Sequence, residues 1–518
     1  MKQLFYLSLA FLAITGCRKI ETDGEKEIFV VTKEVNPPPT PGVVSNTITL
    51  KGRITKDTIL YAKDENFLSG LVYITNGATL TIEEGAKVQG KFSGADVGAL
   101  IITRGSKIHA IGSVEKPIIF TSSATTPQSG DWGGIILCGK APINTSYSSI
   151  KGLYQVEGGV DNANGDGLAG SGDAGNVEDA DDNSGVMSYV RIQYAGYAFQ
   201  PDKEINSLTM AAVGRGTTID HIQVTYAKDD AFEWFGGTVN CKYLIAFKTQ
   251  DDDFDTDNGF TGRVQFGIAM RDPNIADISS SEAFESDNDA AGDIETPITA
   301  PVFSNFTVVG PKPTSTSPFS SLFKAGAHIR RNTKISIFNT LFIGWPTGIY
   351  YDNNGSAPVT ANLSDDTTNN STGSVFRNNT LAGNYDKNGV ISSVTQSSAN
   401  PSFGVLNWVK GNKGPDSTNI EISTTDAKLM RPFDFIAPDF TPFGNASAST
   451  ASPRTLVTWG TKLNVNYAPY SLESWPGNGS FSHILLADAF FTPVTFRGAV
   501  NPAGDSNQNW WKGWTIWK

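Results

Sequence analysis

The sequence predicts an all-β parallel β-helix, a solenoid of stacked coils, and three observations carry that reading. Residues recur in columns at a fixed 22-residue offset: Ile222, Leu244 and Phe266; Val224, Ala246 and Ile268; Phe232 and Phe254; Gly237 and Gly259. A fixed period in this range marks a repeat architecture. Apolar residues alternate with period 2 inside each repeat, so the unit is strand plus turn. Composition agrees, with 52 glycines, 26 prolines and no amphipathic helix bearing capping signals. A β-sandwich with coincident spacing competes, but the period holds in several columns at once.

Along the chain, residues 1–16 read as a lipoprotein signal peptide. Lys2 supplies the positive charge, Leu4 to Ile14 the apolar run, and Ile14-Thr15-Gly16-Cys17 a lipobox. The run is too short to span a bilayer, which needs ~20 apolar residues. Cys17 is therefore the expected lipidation site; a plain secretory signal with an incidental cysteine is the alternative. Residues 17–46 form the expected tether: acidic residues resist collapse, and Pro37-Pro38-Pro39 favours an extended chain.

The domain spans 47–518. Short β-rich runs open it, among them Ala78-Thr79-Leu80-Thr81-Ile82 and Ala99-Leu100-Ile101-Ile102-Thr103. The 22-residue coils occupy its middle, with polar insertions expected at 154–185, 272–300, 352–374 and 385–425. Trp510, Trp511, Trp514 and Trp517 crowd the C-terminus. Exposed, they would form a sugar-stacking platform or an interface; buried, they would cap the open end of the solenoid. A formal net charge of −12 makes nucleic acid and anionic headgroups poor partners. Cys138 and Cys241 are too few for a disulfide framework, and the four histidines show no zinc spacing.

Several phrases resemble one known group. Gly77-Ala78-Thr79-Leu80-Thr81-Ile82-Glu83-Glu84-Gly85, Asp131-Trp132-Gly133-Gly134 and Asp229-Asp230-Ala231-Phe232-Glu233-Trp234-Phe235 resemble coils of Bacteroidetes surface lipoproteins, and Phe496-Arg497-Gly498-Ala499 resembles their closing segment. The resemblance implies a right-handed parallel β-helix anchored to the outer membrane and exposed at the cell surface. It implies little chemistry.

One constellation points to function. Asp229, Asp230 and Glu233 lie in one turn; Asp251, Asp252, Asp253, Asp255 and Asp257 lie in the next. The offset stacks Asp229 on Asp251 and Glu233 on Asp255. Adjacent rungs are about 4.8 Å apart, and two carboxylates at that distance repel by about 3 kcal/mol at an effective dielectric of 20. A cation or protonation would relieve this, and hard oxygen ligands suit Ca²⁺. The alternative is a solvated acidic face whose carboxylates cap turn amides. Asp253-x-Asp255-x-Asp257 begins like an EF-hand, but Asn258 and Val264 break that pattern. Lys228, Trp234, Arg263, Arg271, Glu285, Asp287 and Asp289 are candidates for a surrounding ligand face.

Two functions follow. One is a non-catalytic surface protein that binds a polysaccharide or joins an outer-membrane protein assembly. The other is a carbohydrate-active enzyme, most plainly a calcium-dependent polysaccharide lyase with Lys228 as base and Arg263 and Arg271 as charge stabilisers.

Overall fold

The computed structural model describes residues 34–35, 45–200, 203–354, 357–363, 373–397, 404–410, 419–427, 429–442, 454–458, 461–465, 479–501 and 510–517. Cys17 and the signal segment lie outside them. Of the stretch read as a tether, Glu34–Val35 and Ser45–Asn46 are described; Glu34–Val35 pairs antiparallel with Asn46–Ile54.

Apart from that pairing, every ladder in the 27-stranded sheet system is parallel, which is the pattern of a β-helix. One sheet climbs through Ala99–Ile102, Ile135–Cys138, Leu208–Ala211, Phe232–Phe235, Phe254–Asp257, Phe284–Ser286, Ala327–Arg330 and Ile349–Asp352. It is called the site sheet below. The other two faces come from longer strands bent in the middle: Gly185–Gln193, Thr218–Thr225, Asn240–Phe247, Arg263–Met270 and Val302–Val309.

The bend falls on residues with left-handed backbone: Tyr189, His221, Tyr243, Phe266 and Asn305, at φ 52, 50, 60, 65 and 62°. Such a conformation is costly for a bulky residue. Stacking down the column offsets it, with ring centroids 4.2 Å apart for Tyr189–His221, 4.4 Å for His221–Tyr243 and 5.2 Å for Tyr243–Phe266. Beyond Asn305 the column continues as Asn339 and Asn378, a residue type that tolerates this region.

Inward side chains of the site sheet stack the core: Phe232 on Phe254 at 5.7 Å and Phe254 on Phe284 at 5.4 Å. Cys138 and Cys241 are buried free thiols. Helix is confined, among the described residues, to Val405–Lys410 and short 3-10 turns, none long and apolar enough to cross a membrane.

Three expectations need correction. The 22-residue register holds from Ile222 to Leu244 and from Phe232 to Phe254, but Leu244 pairs with Gly267 and Ala246 with Ala269. Phe266 and Ile268 are thus one residue out of the expected columns. The additional residue enters between the site sheet and Arg263, where the chain turns through Asn258 and Gly259 at positive φ. The stretches 272–300 and 385–425 are not purely insertions, because Phe284–Ser286, which carries Glu285, and Val394–Gln396 and Ile420–Ile422 are rung strands. The tryptophans are buried or partly buried, as a cap would be, but they lie on the flank of the solenoid. Trp514 packs edge-on against Tyr189 and His221, Arg191 Nε donates to the Trp514 carbonyl, and Gln223 exchanges two 2.8 Å hydrogen bonds with Ile516. Upstream, Thr492 bonds Gln265 in the same reciprocal way, and Asn305 and Asn339 hold Phe496 and Ser480. The C-terminal segment is a strap across the bend column.

Candidate functional site

Strand alternation sends Phe232, Trp234, Phe254 and Thr256 inward and Glu233, Asp255 and Asp257 to the outer face of the site sheet. Parallel register then builds one column of Glu233, Asp255, Glu285, His328 and Tyr350. The preceding turns add Asp229, Asp230, Asp251 and Asp252 at its edge. A hairpin of Leu153–Gln155 and Leu168–Gly170 brings Tyr154 against Phe235, with ring centroids at 4.8 Å, which helps exclude water.

Two groups of carboxylates converge. Asp229, Asp230 and Asp251 bring one oxygen each within 4.8 Å of one another, as do Asp230, Glu233 and Asp255. Backbone amides hold part of this array. Asn206 Oδ1 accepts from the Asp230 amide, Asp230 Oδ1 from the Asp252 amide at 2.8 Å, and Asp252 Oδ1 from the Glu282 amide at 2.6 Å. Asn206 Nδ2 also donates to Glu233 Oε2. Asp255 Oδ1 is buried without a hydrogen-bond partner.

Burial in this acidic company raises the carboxyls. Desolvation, with Glu204, Glu157 and Asp277 nearby, lifts Asp229 to about 8. Desolvation and Asp229 lift Asp251 to about 9; desolvation and Asp287 lift Asp257 to about 8. Asp230, Glu233, Asp252 and Asp255 are pushed well above the carboxylate range, burial first and neighbouring carboxylates second. Asp230, Glu233 and Asp252 are buried and Asp229, Asp251, Asp255 and Asp257 half-buried, so the face is not fully solvated, while Asp230 and Asp252 do cap turn amides.

Several candidates fall elsewhere. Asp253 faces away and pairs with Arg271, whose guanidinium also binds the carbonyls of Thr249, Asp251 and Glu282. Neither is a ligand or a stabiliser of substrate charge; together they clamp the turns. Arg263 reaches Asp488 of the strap at 3.1 Å. Trp234 is fully buried and stacks on Phe260, so it belongs to the core. The Lys228 stem lies across Gly130 and Gly196. Asp289 caps its own loop, accepting from the amides of Ala291, Gly292 and Asp293. Glu285 and Asp287 do face the site, but Arg330 bonds both and Arg331 reaches Asp287 at 2.8 Å.

Sequence reasoning missed Glu282, His328 and Asp352. His328 Nδ1 lies 3.3 Å from both Glu282 Oε1 and Glu285 Oε1, and its Nε2 lies 3.5 Å from Asp352 Oδ2. Burial alone would lower this imidazole, but Asp352, Glu282 and Glu285 raise it to about 10. Burial would raise Asp352 too, yet His328 and the Asn354 amide hold it at about 2. The insertions between these rungs break the fixed offset, so no spacing signal could have joined them.

A coil of stacked parallel rungs that displays ionisable columns on one outer sheet is a parallel β-helix. The family model described as a pectate-lyase like beta helix domain matches residues 52–413, and the chain belongs to that family. No curated protein and no solved structure matches it.

Proposed function

We propose that this is a lipid-anchored cell-surface protein that binds an anionic polysaccharide, without cleaving it, through Ca²⁺ held on the site sheet. The observation that carries the reading is the convergence of Asp229, Asp230, Asp251, Glu233 and Asp255, with oxygens within 4.8 Å in each group. All donors are carboxylate oxygens, the set that calcium prefers, and the buried Asp255 Oδ1, which has no hydrogen-bond partner, supports a cation there. Calcium bound there would attract a uronate carboxylate. The family description fits a carbohydrate-related role.

The lyase alternative is less well served. Arg263 and Arg271 are engaged by Asp488 and Asp253, away from the outer face. Lys228, the expected base, lays its stem across Gly130 and Gly196, and the carboxylates around His328 raise that imidazole to about 10, which favours its protonated form over a base.

Titrating polygalacturonate and alginate into the protein, with calcium and with EGTA, tests the proposal. Calcium-dependent binding without unsaturated uronate products is expected. Release of such products would favour the lyase, and binding indifferent to EGTA would remove the calcium. Membrane anchoring is tested by Cys17→Ala, which should abolish incorporation of labelled palmitate. If neither glycan binds, co-purification from detergent-solubilised membrane would show whether a protein assembly is the partner.

A further inference from the structure

We infer that Glu282, Glu285 and His328 form a second site, for a transition-metal ion of the zinc type, with Asp352 orienting the imidazole. The inference does not rest on the glycan-binding reading and shares no ligand with the proposed calcium site.

Three observations support it. Glu282 is fully buried and His328 is 1 % exposed, yet both His328 ring nitrogens and Glu282 Oε2 lack a hydrogen-bond partner among the described residues. An imidazole placed among carboxylates for hydrogen bonding alone would sit closer, at roughly 2.7–3.2 Å with aligned geometry. Here Nδ1 stands 3.3 Å from one oxygen of each glutamate, and the three ligand atoms lie within 4.8 Å of one another. For metal–ligand bonds of about 2.0–2.2 Å, the edge of a tetrahedron is about 3.3–3.6 Å. The spacing fits a shared ion better than it fits direct hydrogen bonds.

The donor set separates this site from the first. A nitrogen ligand with two carboxylates suits zinc and its neighbours, whereas calcium takes oxygen. Three protein ligands leave a fourth position open, and Glu285, with its side chain 13 % exposed, gives access from the outer face.

The surroundings are consistent. Metal on Nδ1 requires the proton on Nε2, and Asp352 Oδ2 stands 3.5 Å from that nitrogen, an electrostatic contact that favours the proton there without a hydrogen bond in the metal-free geometry. A carboxylate behind a ligating histidine is the usual arrangement for fixing its tautomer. Arg330 holds the other oxygen of Glu285, leaving Oε1 for the ion. Ser280 Oγ donates to Glu282 Oε1 at 3.0 Å and would orient that ligand. Without metal, a proton on His328 supplies the positive charge, so zinc binding must release it.

Equilibrium dialysis of the metal-stripped full chain against ZnCl₂ near pH 7.5 tests this. One equivalent of zinc is expected, retained against excess calcium. His328→Gln and Glu282→Gln should each lose it, Asp352→Asn should weaken it roughly 10- to 100-fold, and Asp230→Asn should keep it. Cobalt substitution gives a readout that needs no variant: the intense visible spectrum of a four-coordinate ion is expected. Sub-stoichiometric zinc, zinc kept equally by a folded His328→Gln protein, or the weak spectrum of octahedral cobalt would each overturn the site.

Discussion

Arg271 Nη1 lies 3.2 Å from Asp253 Oδ1, and neither side chain has any exposed surface. Burial drives the Asp253 carboxyl up to about 7 against the pull of that guanidinium. The pair sits behind the acidic turns and ties three of their carbonyls together.

Removing the cation should therefore be expensive. Arg271→Ala leaves a buried acid and three carbonyls without their donor, and about 3–5 kcal/mol of stability should be lost. Asp253→Asn keeps the volume and should cost less. Denaturant unfolding of both variants checks the order; an Arg271→Ala loss below about 1 kcal/mol would contradict the clamp.

Calcium should raise the melting temperature, and the structure chooses the variants that decide why. Binding only to the native state stabilises by RT ln(1 + [L]/Kd), about 2.7 kcal/mol at a hundredfold excess over Kd. Asp230→Asn and Asp255→Asn should erase the response, because each removes an oxygen from the converging groups. Asp253→Asn should retain it, since that carboxylate faces Arg271. Melting curves at fixed ionic strength, with calcium, magnesium and EGTA, measure this. A response lost in Asp253→Asn but kept in Asp255→Asn would reverse the assignment.

Stability should fall with rising pH when divalent ions are chelated. Asp229, Asp257 and Asp251 have folded values of about 8, 8 and 9, above the ordinary aspartate value of 3.8. Between pH 4 and 9 the native state thus binds more protons than the unfolded chain, and the slope of stability is negative. His328, raised from 6.5 to about 10, adds stability present below pH 6.5 and lost as pH climbs through 10. Asp352, at about 2, works oppositely, its contribution vanishing only as pH falls from 3.8 through 2. The melting temperature in EGTA should peak near pH 4–5. Calcium should flatten the decline, because it binds deprotonated ligands. A melting temperature that rises from pH 5 to 8 in EGTA would contradict the raised carboxyls.

The strap should be a stabilising element along its whole length. Trp514 is fully buried against Tyr189 and His221. Trp514→Ala should cost about 3–5 kcal/mol and raise hydrogen exchange in 185–225, where Arg191 and Gln223 grip the strap. Unchanged exchange there would show that the tryptophan merely rests on the flank.

The sequence by itself determined the coil. Strand alternation and parallel in-register stacking are local properties, so the columns Phe232 over Phe254 and Glu233 over Asp255 were legible from spacing alone. Tertiary structure decided where each acid points. Asp253 and Asp255 share a parity, yet Asp253 precedes the strand, where no pleat dictates its direction, and Arg271 from the turn after the next strand claims it. The one additional residue before Arg263 moved Phe266 into the bend column, a shift that a short turn absorbs without a sequence signature. His328 meets Glu282 and Glu285 only because rungs of unequal length stack at a constant rise. The strap likewise recognises side chains from many coils, and no local pattern encodes a contact made between segments so far apart in the chain.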